Sequence, residues 1–245
     1  MGEQPLPGGL VTSVVRAGNT VRRTEPDDPA YVHALLTWFE QHGWGGAPRF
    51  LGTDKRGREV LSFIEGHVAW EPAQPASVTS DASLAGVARL VREFHDLTAG
   101  TPLATGAEVA CHNDLSPKNT VYRDDGAGLT PVAFLDWDIA GPGDRIHDIA
   151  HVCWQYLGLG PGVDDTNAAA RRIRLICDAY GLPNRGGVLP AIMWWQDRCW
   201  RGIEARADSG HAAMIRLRDS GAARSVRDAH DWVARHSADL ATYLR

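Results

Sequence analysis

Lysine is almost missing from this 245-residue chain: of its 25 basic residues only Lys55 and Lys118 are lysine. A role that ordinarily falls to a buried lysine must here pass to arginine or go unfilled. Cysteine is scarce as well. Cys111, Cys153, Cys177 and Cys199 are well separated, form no C-x-x-C pair and sit in apolar or aromatic surroundings, so they read as buried reduced thiols and exclude a disulfide framework. No window approaches the roughly 20 apolar residues of a membrane-spanning helix. The opening "MGEQPLPGGL" has no basic region followed by an apolar run, and it lacks the Ser or Thr at the sixth position that favours myristoylation. A cytoplasmic protein with no membrane partner is expected. Basic runs are absent too: 25 basic against 30 acidic residues give a net charge of -5, which excludes nucleic acid as a partner. Internal repeats and long loop-rich linkers are not found.

What is present is apolar: 44% hydrophobic residues over this length suit one large domain or two small lobes sharing a cleft. Residues 10 to 23, "LVTSVVRAGNTVRR", read as two strands joined at Gly18-Asn19. "DDPAYVHALLTWFEQHG" then reads as a helix with Asp28 as N-cap, Pro29 at its first position and Gly43 as its stop. Ala30, His33 or Ala34, Leu36 or Thr37, and Glu40 are spaced as one face. "RFLGTDKRGREVLSFIEGH" returns to strand, turning at Lys55-Arg56-Gly57 and ending at Glu65-Gly66. From Ser80 onward Leu84, Val87, Leu90, Val91, Phe94 and Leu97 recur at three- and four-residue steps, the stripe of a buried helix. Further helices are read from Ala169, Ile173, Ile176, Cys177 and Tyr180, from "LPAIMWWQDRCWRGIEARA" and from "ARSVRDAHDWVARHSADLATYL". Short strands around 107 to 111, 119 to 123 and 131 to 135 interrupt them. The order is a small sheet lobe followed by a large helical one.

Those strands bracket two acidic stretches, "VACHNDLSPKNTVY" and "VAFLDWDIAGPGDRIHDIAH". Acids gathered so densely repel one another, and a cation is the natural remedy. A carboxylate five residues ahead of an asparagine on a tight loop can take a proton from an attacking hydroxyl. The asparagine amide oxygen can meanwhile ligate a hard cation, and a carboxylate at a strand end can complete that cation's oxygen shell. Asp114, Asn119 and Asp136 have these types at these positions, the equipment of phosphoryl transfer. Magnesium keeps octahedral oxygen coordination and takes one or two carboxylates plus phosphate oxygens, so a nucleotide would supply the missing ligands.

"HNDLSPKN" followed by "FLDWDIAGPGDRIHDIA" resembles the H-x-D-x-x-x-x-N and D-W-x-x-A-x-x-G-D-x-x-x-D-[LI]-A signature of the aminoglycoside phosphotransferase and choline kinase-like family, relatives of protein kinases. The match is dense over residues 111 to 151 and collinear beyond. The first hairpin resembles the family's glycine-containing hairpin, and "VLSFIEG" resembles its interlobe hinge. The resemblance implies an α+β, protein kinase-like bilobal fold: residues 1–66 as nucleotide-binding lobe and hinge, 67–245 as helical lobe with catalytic loop, metal site and acceptor pocket. It implies Asp114 as catalytic base, Asn119 and Asp136 as magnesium ligands, His112 and Asp148 as the brace of the catalytic loop, and Asp138 as an aid to the metal or its surroundings. Gly8 and Gly9 would cover the phosphates, while the carbonyl of Ser62 and the N–H of Ile64 would meet the purine. The implied co-substrate is ATP or GTP with Mg2+, and the implied partner a small molecule bearing a hydroxyl.

Two departures from the family pattern follow from the missing lysine. The family's third-strand lysine, which pairs with the α- and β-phosphates and with a helix glutamate, is replaced by Arg23, or by Arg22 should the register slip by one. The helix turn that should carry the glutamate offers His33 instead. An inactive kinase-fold binding or immunity protein is therefore a second reading. A metal-dependent phosphohydrolase built on His112, His147, Asp148 and His151 is a third, and it leaves Asn119 without a task. Lys118 reads as a solvated loop charge within reach of a transferred phosphate. "GLGPG" at 158 to 162 reads as a turn, and Trp195 or Trp200 with Asp197 as a lining for the acceptor pocket.

Overall fold

The computed structural model describes residues 2–6, 14–71, 73–126 and 128–244, so the anticipated Gly8-Gly9 loop lies outside the described residues. A short β1 (Gln4–Pro5) pairs with β2 (Val15–Ala17), which turns through Gly18 and Asn19 into β3 (Thr20–Thr24). Gly18 has a φ of 62°, the left-handed backbone that a two-residue hairpin turn requires and that glycine adopts without a steric cost.

Helix α1 (Pro29–Gln41) begins where the sequence caps it, with the Asp28 carboxylate accepting from the Tyr31 N–H at 3.2 Å. Its buried face is Val32, Leu35, Leu36 and Phe39, rotated from the Ala30-to-Glu40 stripe that spacing suggested. Both sets satisfy helical spacing, and the bulky apolar side chains decide which one turns inward. Strands β4 (Phe50–Thr53) and β5 (Arg58–Ser62) complete a five-stranded antiparallel sheet of order β1-β2-β3-β5-β4.

After β6 (His67–Val68) comes α2 (Asp81–Thr98), capped by the Ser80 hydroxyl, which accepts from the Ser83 N–H at 3.2 Å. Leu84, Val87, Val91 and Phe94 of the expected stripe are buried. Then follow β7 (Val109–Cys111), β8 (Thr120–Asp124), β9 (Leu129–Phe134) and β10 (Gly141–Gly143). β6, β8 and β9 form a three-stranded sheet, and β7 pairs with β10. The three short strands anticipated around the acidic stretches are therefore β7, β8 and β9.

Two compact units divide the chain, residues 1–148 and 149–245. Helix α3 (Arg145–Leu157) opens at the end of the first. The second contains α4 (Thr166–Tyr180), α5 (Val188–Asp208), α6 (Ala212–Asp219) and α7 (Ala222–Leu240). There α5 packs against α6 and α7, and α4 against α7. Ala169, Ile173, Ile176, Cys177 and Tyr180 form the buried face of α4, as their spacing requires. The 158–162 stretch is a turn between α3 and α4, with Gly158 at φ 58°. Cys111, Cys153 and Cys177 are buried free thiols, and Cys199 is half-buried. Among the described residues no helix is long and apolar enough to cross a membrane.

Candidate active site

Strand β7 ends at Cys111 and hands the chain to a loop held from below by one carboxylate. Asp148, fully buried near the start of α3, accepts the N–H of His112 at 2.7 Å and that of Asn113 at 2.9 Å, and pairs with His95 Nε2 at 3.1 Å. Burial alone would raise the Asp148 pKa. The His95 side-chain hydrogen bond, with the His112 backbone N–H adding to it, overcomes burial and holds the carboxyl below its ordinary value. The ionised brace lets Asn113 keep a φ of 67°, in the left-handed region that asparagine tolerates.

His112 is spoken for at both nitrogens: Nε2 donates to the Leu135 carbonyl at 2.9 Å, and Nδ1 accepts the Asp114 N–H at 3.2 Å. Full burial lowers its pKa, so the ring stays neutral in this tautomer, packed 4.4 Å from the Trp137 ring. It ties the loop to the end of β9 and has no nitrogen left for a metal.

Asp114 and Asn119 are drawn together by the Asn119 amide nitrogen, which donates to Asp114 Oδ2 at 2.8 Å and to the Asp114 carbonyl at 2.9 Å. The Asn119 amide oxygen remains as the ligand atom of that side chain. Burial raises the Asp114 pKa, against the opposing charge of the exposed Lys118 nearby. A carboxylate so placed has an increased appetite for a proton.

The second acidic stretch is locked to this loop through the backbone. The Leu135 N–H donates to the Asn119 carbonyl at 2.7 Å while its own carbonyl takes the His112 ring, so both polar groups of Leu135 are fixed by loop residues. Asp136 follows with a φ of 63°, which costs a non-glycine residue about 1 kcal/mol. Buried Trp137 anchors the turn, its Nε1 donating to the Phe134 carbonyl at 3.1 Å.

Facing these acids is Arg23 on β3, buried, with Nη1 2.8 Å from Asp136 Oδ1, Nη2 paired with Asp138 and Nε paired with Glu59. Three carboxylates surround one guanidinium, leaving a surplus of negative charge. Burial above all, aided by Asp136 and Glu59 and opposed by Arg23, pushes the Asp138 carboxyl up to about 7. Asn119, Asp136 and Asp138 offer oxygen ligands alone, the donor set of a small hard cation, and the surplus charge suits a divalent one. Arg22 faces the other way, half-exposed, toward Glu3 at 3.8 Å and Asp54 at 3.7 Å, as strand alternation dictates.

Glu59 is the residue that sequence reading missed. It lies directly opposite Arg23 in the β3–β5 register, is completely buried, and gives its second oxygen to His33 Nε2 at 3.1 Å. The helix acid is absent, as anticipated, and a strand acid takes its place. A lone glutamate within "REVLSF" was the signal, but its partner is set by a strand pairing that no local pattern reveals.

At the anticipated hinge the Phe63 N–H donates to the Asn19 carbonyl at 2.9 Å, and the Ser62 N–H to the Arg49 carbonyl at 2.9 Å. The Arg49 N–H goes to the Ser62 hydroxyl at 2.8 Å, so that side chain has a local bond of its own. Ile64 follows just beyond β5, between it and β6. In the second unit Trp195 is buried with its ring 5.0 Å from His151. Asp197 pairs with Arg201 at 2.8 Å, and Trp200 lies beneath the guanidinium of Arg201 at 4.3 Å.

A five-stranded sheet followed by mainly helical structure, with a braced H-x-D-x-x-x-x-N loop facing a D-W-D turn, defines a protein kinase-like fold. The comparisons with known proteins agree. A family model described as "Phosphotransferase enzyme family" matches residues 100–181. The trifolitoxin immunity protein of Rhizobium leguminosarum bv. trifolii is 33% identical over 213 residues, covering 77% of this chain and 78% of that protein. Among solved structures, the Streptomyces rimosus aminoglycoside phosphotransferase APH(3'')-Id, in complex with ADP and streptomycin, matches with a TM-score of 0.60. Its identity is 16%, over 78% of this chain and 90% of that one. A choline/ethanolamine kinase family protein from Mesorhizobium loti matches with a TM-score of 0.57 and 17% identity, over 99% of this chain and 88% of that one. The chain belongs to the phosphotransferase enzyme family, and its fold is protein kinase-like.

Proposed function

We propose that this protein transfers the γ-phosphate of ATP or GTP to a hydroxyl of a small molecule. One observation carries the reading: the Asp114–Asn119 hydrogen bond at 2.8 Å, joined through the Leu135 N–H to the turn that holds Asp136. Base and ligand atoms thus belong to one rigid backbone frame, as positioning-dominated catalysis needs. Asp114 takes the acceptor's hydroxyl proton as its oxygen bonds to the γ-phosphorus. The bond from that phosphorus to the β–γ bridging oxygen breaks, and the nucleoside diphosphate leaves with the electron pair.

Asn119 and Asp136 would hold Mg2+, with Asp138 beside them; when bound, the ion neutralises phosphate charge and fixes the β- and γ-groups. Arg23 would grip the phosphates, and Gly8 and Gly9 would cover them. The Ser62 carbonyl and the Ile64 N–H would meet the purine. His112 and Asp148 keep the loop in shape. On this reading residues 1–66 form the nucleotide lobe and hinge, and 67–245 the lobe that takes the acceptor. Antibiotics and amino sugars belong to the acceptor class, and the surplus of acids over bases suits a cationic acceptor. The site of action on this reading is the cytoplasm.

A second reading is favoured by two observations: the immunity protein among the relatives, and an Arg23 guanidinium resting on Asp136. It makes the protein a binder that sequesters a toxic molecule without chemistry. Incubation with ATP or GTP, magnesium and a panel of aminoglycosides, amino sugars and choline-like alcohols separates the two. Nucleoside diphosphate formed only when one acceptor class is present supports transfer. A panel member bound tightly with no nucleotide consumed supports sequestration.

A further inference from the structure

We propose that Glu59 is a positioning residue for phosphate recognition: it holds Arg23 by the Nε edge and so presents the two terminal nitrogens to the phosphates. The inference rests on the phosphotransferase reading and extends it to a residue outside the family motif. Its basis is the geometry of the guanidinium. Nε meets Glu59 on one side, while Nη1 and Nη2 meet Asp136 and Asp138 on the other, so the group is gripped by Glu59 at one edge and turned toward the proposed metal turn at the opposite edge. A planar fork with donors on separate edges can do both at once and holds the two partners apart, whereas the three donors of a lysine ammonium share one nitrogen. The arginine at this place is thus matched to its acid.

Glu59 is itself held from two sides. The β3–β5 register sets it opposite Arg23, and His33 takes its second oxygen at 3.1 Å. The His33 ring stacks on Phe50 at 3.6 Å, which limits its swing. Helix α1 therefore reaches Arg23 through His33 and Glu59, where the family uses a helix glutamate directly. Asp136 and Asp138 belong to the proposed metal turn, so the terminal nitrogens already lie where a magnesium-bound triphosphate would arrive.

The test compares ATP with adenosine, each titrated calorimetrically with magnesium into the unaltered protein, Glu59→Gln, Arg23→Ala and the double variant. Thermal melts confirm that each is folded. Glutamine keeps the size of the side chain and removes its charge, so Glu59→Gln should weaken ATP about tenfold and leave adenosine unchanged. Because Glu59 acts through Arg23, the double variant should bind ATP no more weakly than Arg23→Ala alone. Should Glu59→Gln not fold, His33→Gln, which leaves both charges in place, should show a smaller loss for ATP and again none for adenosine. An unchanged ATP-to-adenosine ratio in the folded single variants, or losses that add in the double variant, overturns the inference alone. An unaltered protein that binds neither compound overturns the phosphotransferase reading, and the inference with it.

Discussion

At the scale of single residues the proposed chemistry rests on Asp114 and Arg23, and their neighbours make the two roles separable. Asp114 touches Asn119 and the loop backbone, and its side chain is proposed to meet only the hydroxyl being phosphorylated. Asp114→Asn should therefore leave nucleotide affinity within a few-fold and cut turnover by roughly 10²–10⁴. Steady-state rates with the acceptor found in the panel measure this, and near-normal turnover would remove Asp114 from the mechanism. The paired arginines offer an internal control, since Arg23 faces the acids and Arg22 faces Glu3 and Asp54. Arg23→Ala should reduce turnover by more than about tenfold, whereas Arg22→Ala should change it little. Equal effects from the two would mean that strand β3 is read on the wrong face.

Elements differ in how much of them the sequence discloses, and the difference follows the range of the interactions that make them. Helix α2 was legible because its cap and stripe are local: Ser80 caps it, and Leu84, Val87, Val91 and Phe94 line its buried face. Ser80→Ala should cost about 1 kcal/mol, read as a lower denaturation midpoint at unchanged slope. The loop from His112 to Asn119 was equally legible as a connection, since the short apolar runs on either side of it are strands β7 and β8. Helix α1 was found from its cap and spacing, but the spacing alone did not pick its inward face: two sets share it, and the one with bulky apolar side chains is buried. Helix α6 was not drawn from the pattern, since it is short, with Ala213 as its buried residue. Glu59 stayed hidden for the reason most general to sheets: its partner lies 36 residues away, across a strand pairing that local sequence does not encode. The hinge belongs to this scale as well. Its proposed use of backbone groups means that Ile64→Pro, which deletes a donor, should weaken ATP by about 1–3 kcal/mol. Normal ATP affinity in that variant would place the nucleotide elsewhere. Ser62→Ala, which removes the bond to the Arg49 N–H, should act through hinge geometry alone.

For the molecule as a whole, family and fold leave the choice between chemistry and sequestration to one site. Three carboxylates about Arg23 form a negatively charged centre that a guanidinium only partly balances; a divalent cation held there would offset the remainder and let a triphosphate approach. The central claim is therefore that this protein recognises a nucleoside triphosphate through magnesium. Calorimetric titration of ATP into the unaltered protein, with magnesium and then with the metal chelated, tests it most directly. The account predicts saturable binding with magnesium, weakened at least tenfold on chelation and lost equally in Asp136→Ala. Binding of the same strength with and without magnesium, or none under either condition, would contradict it.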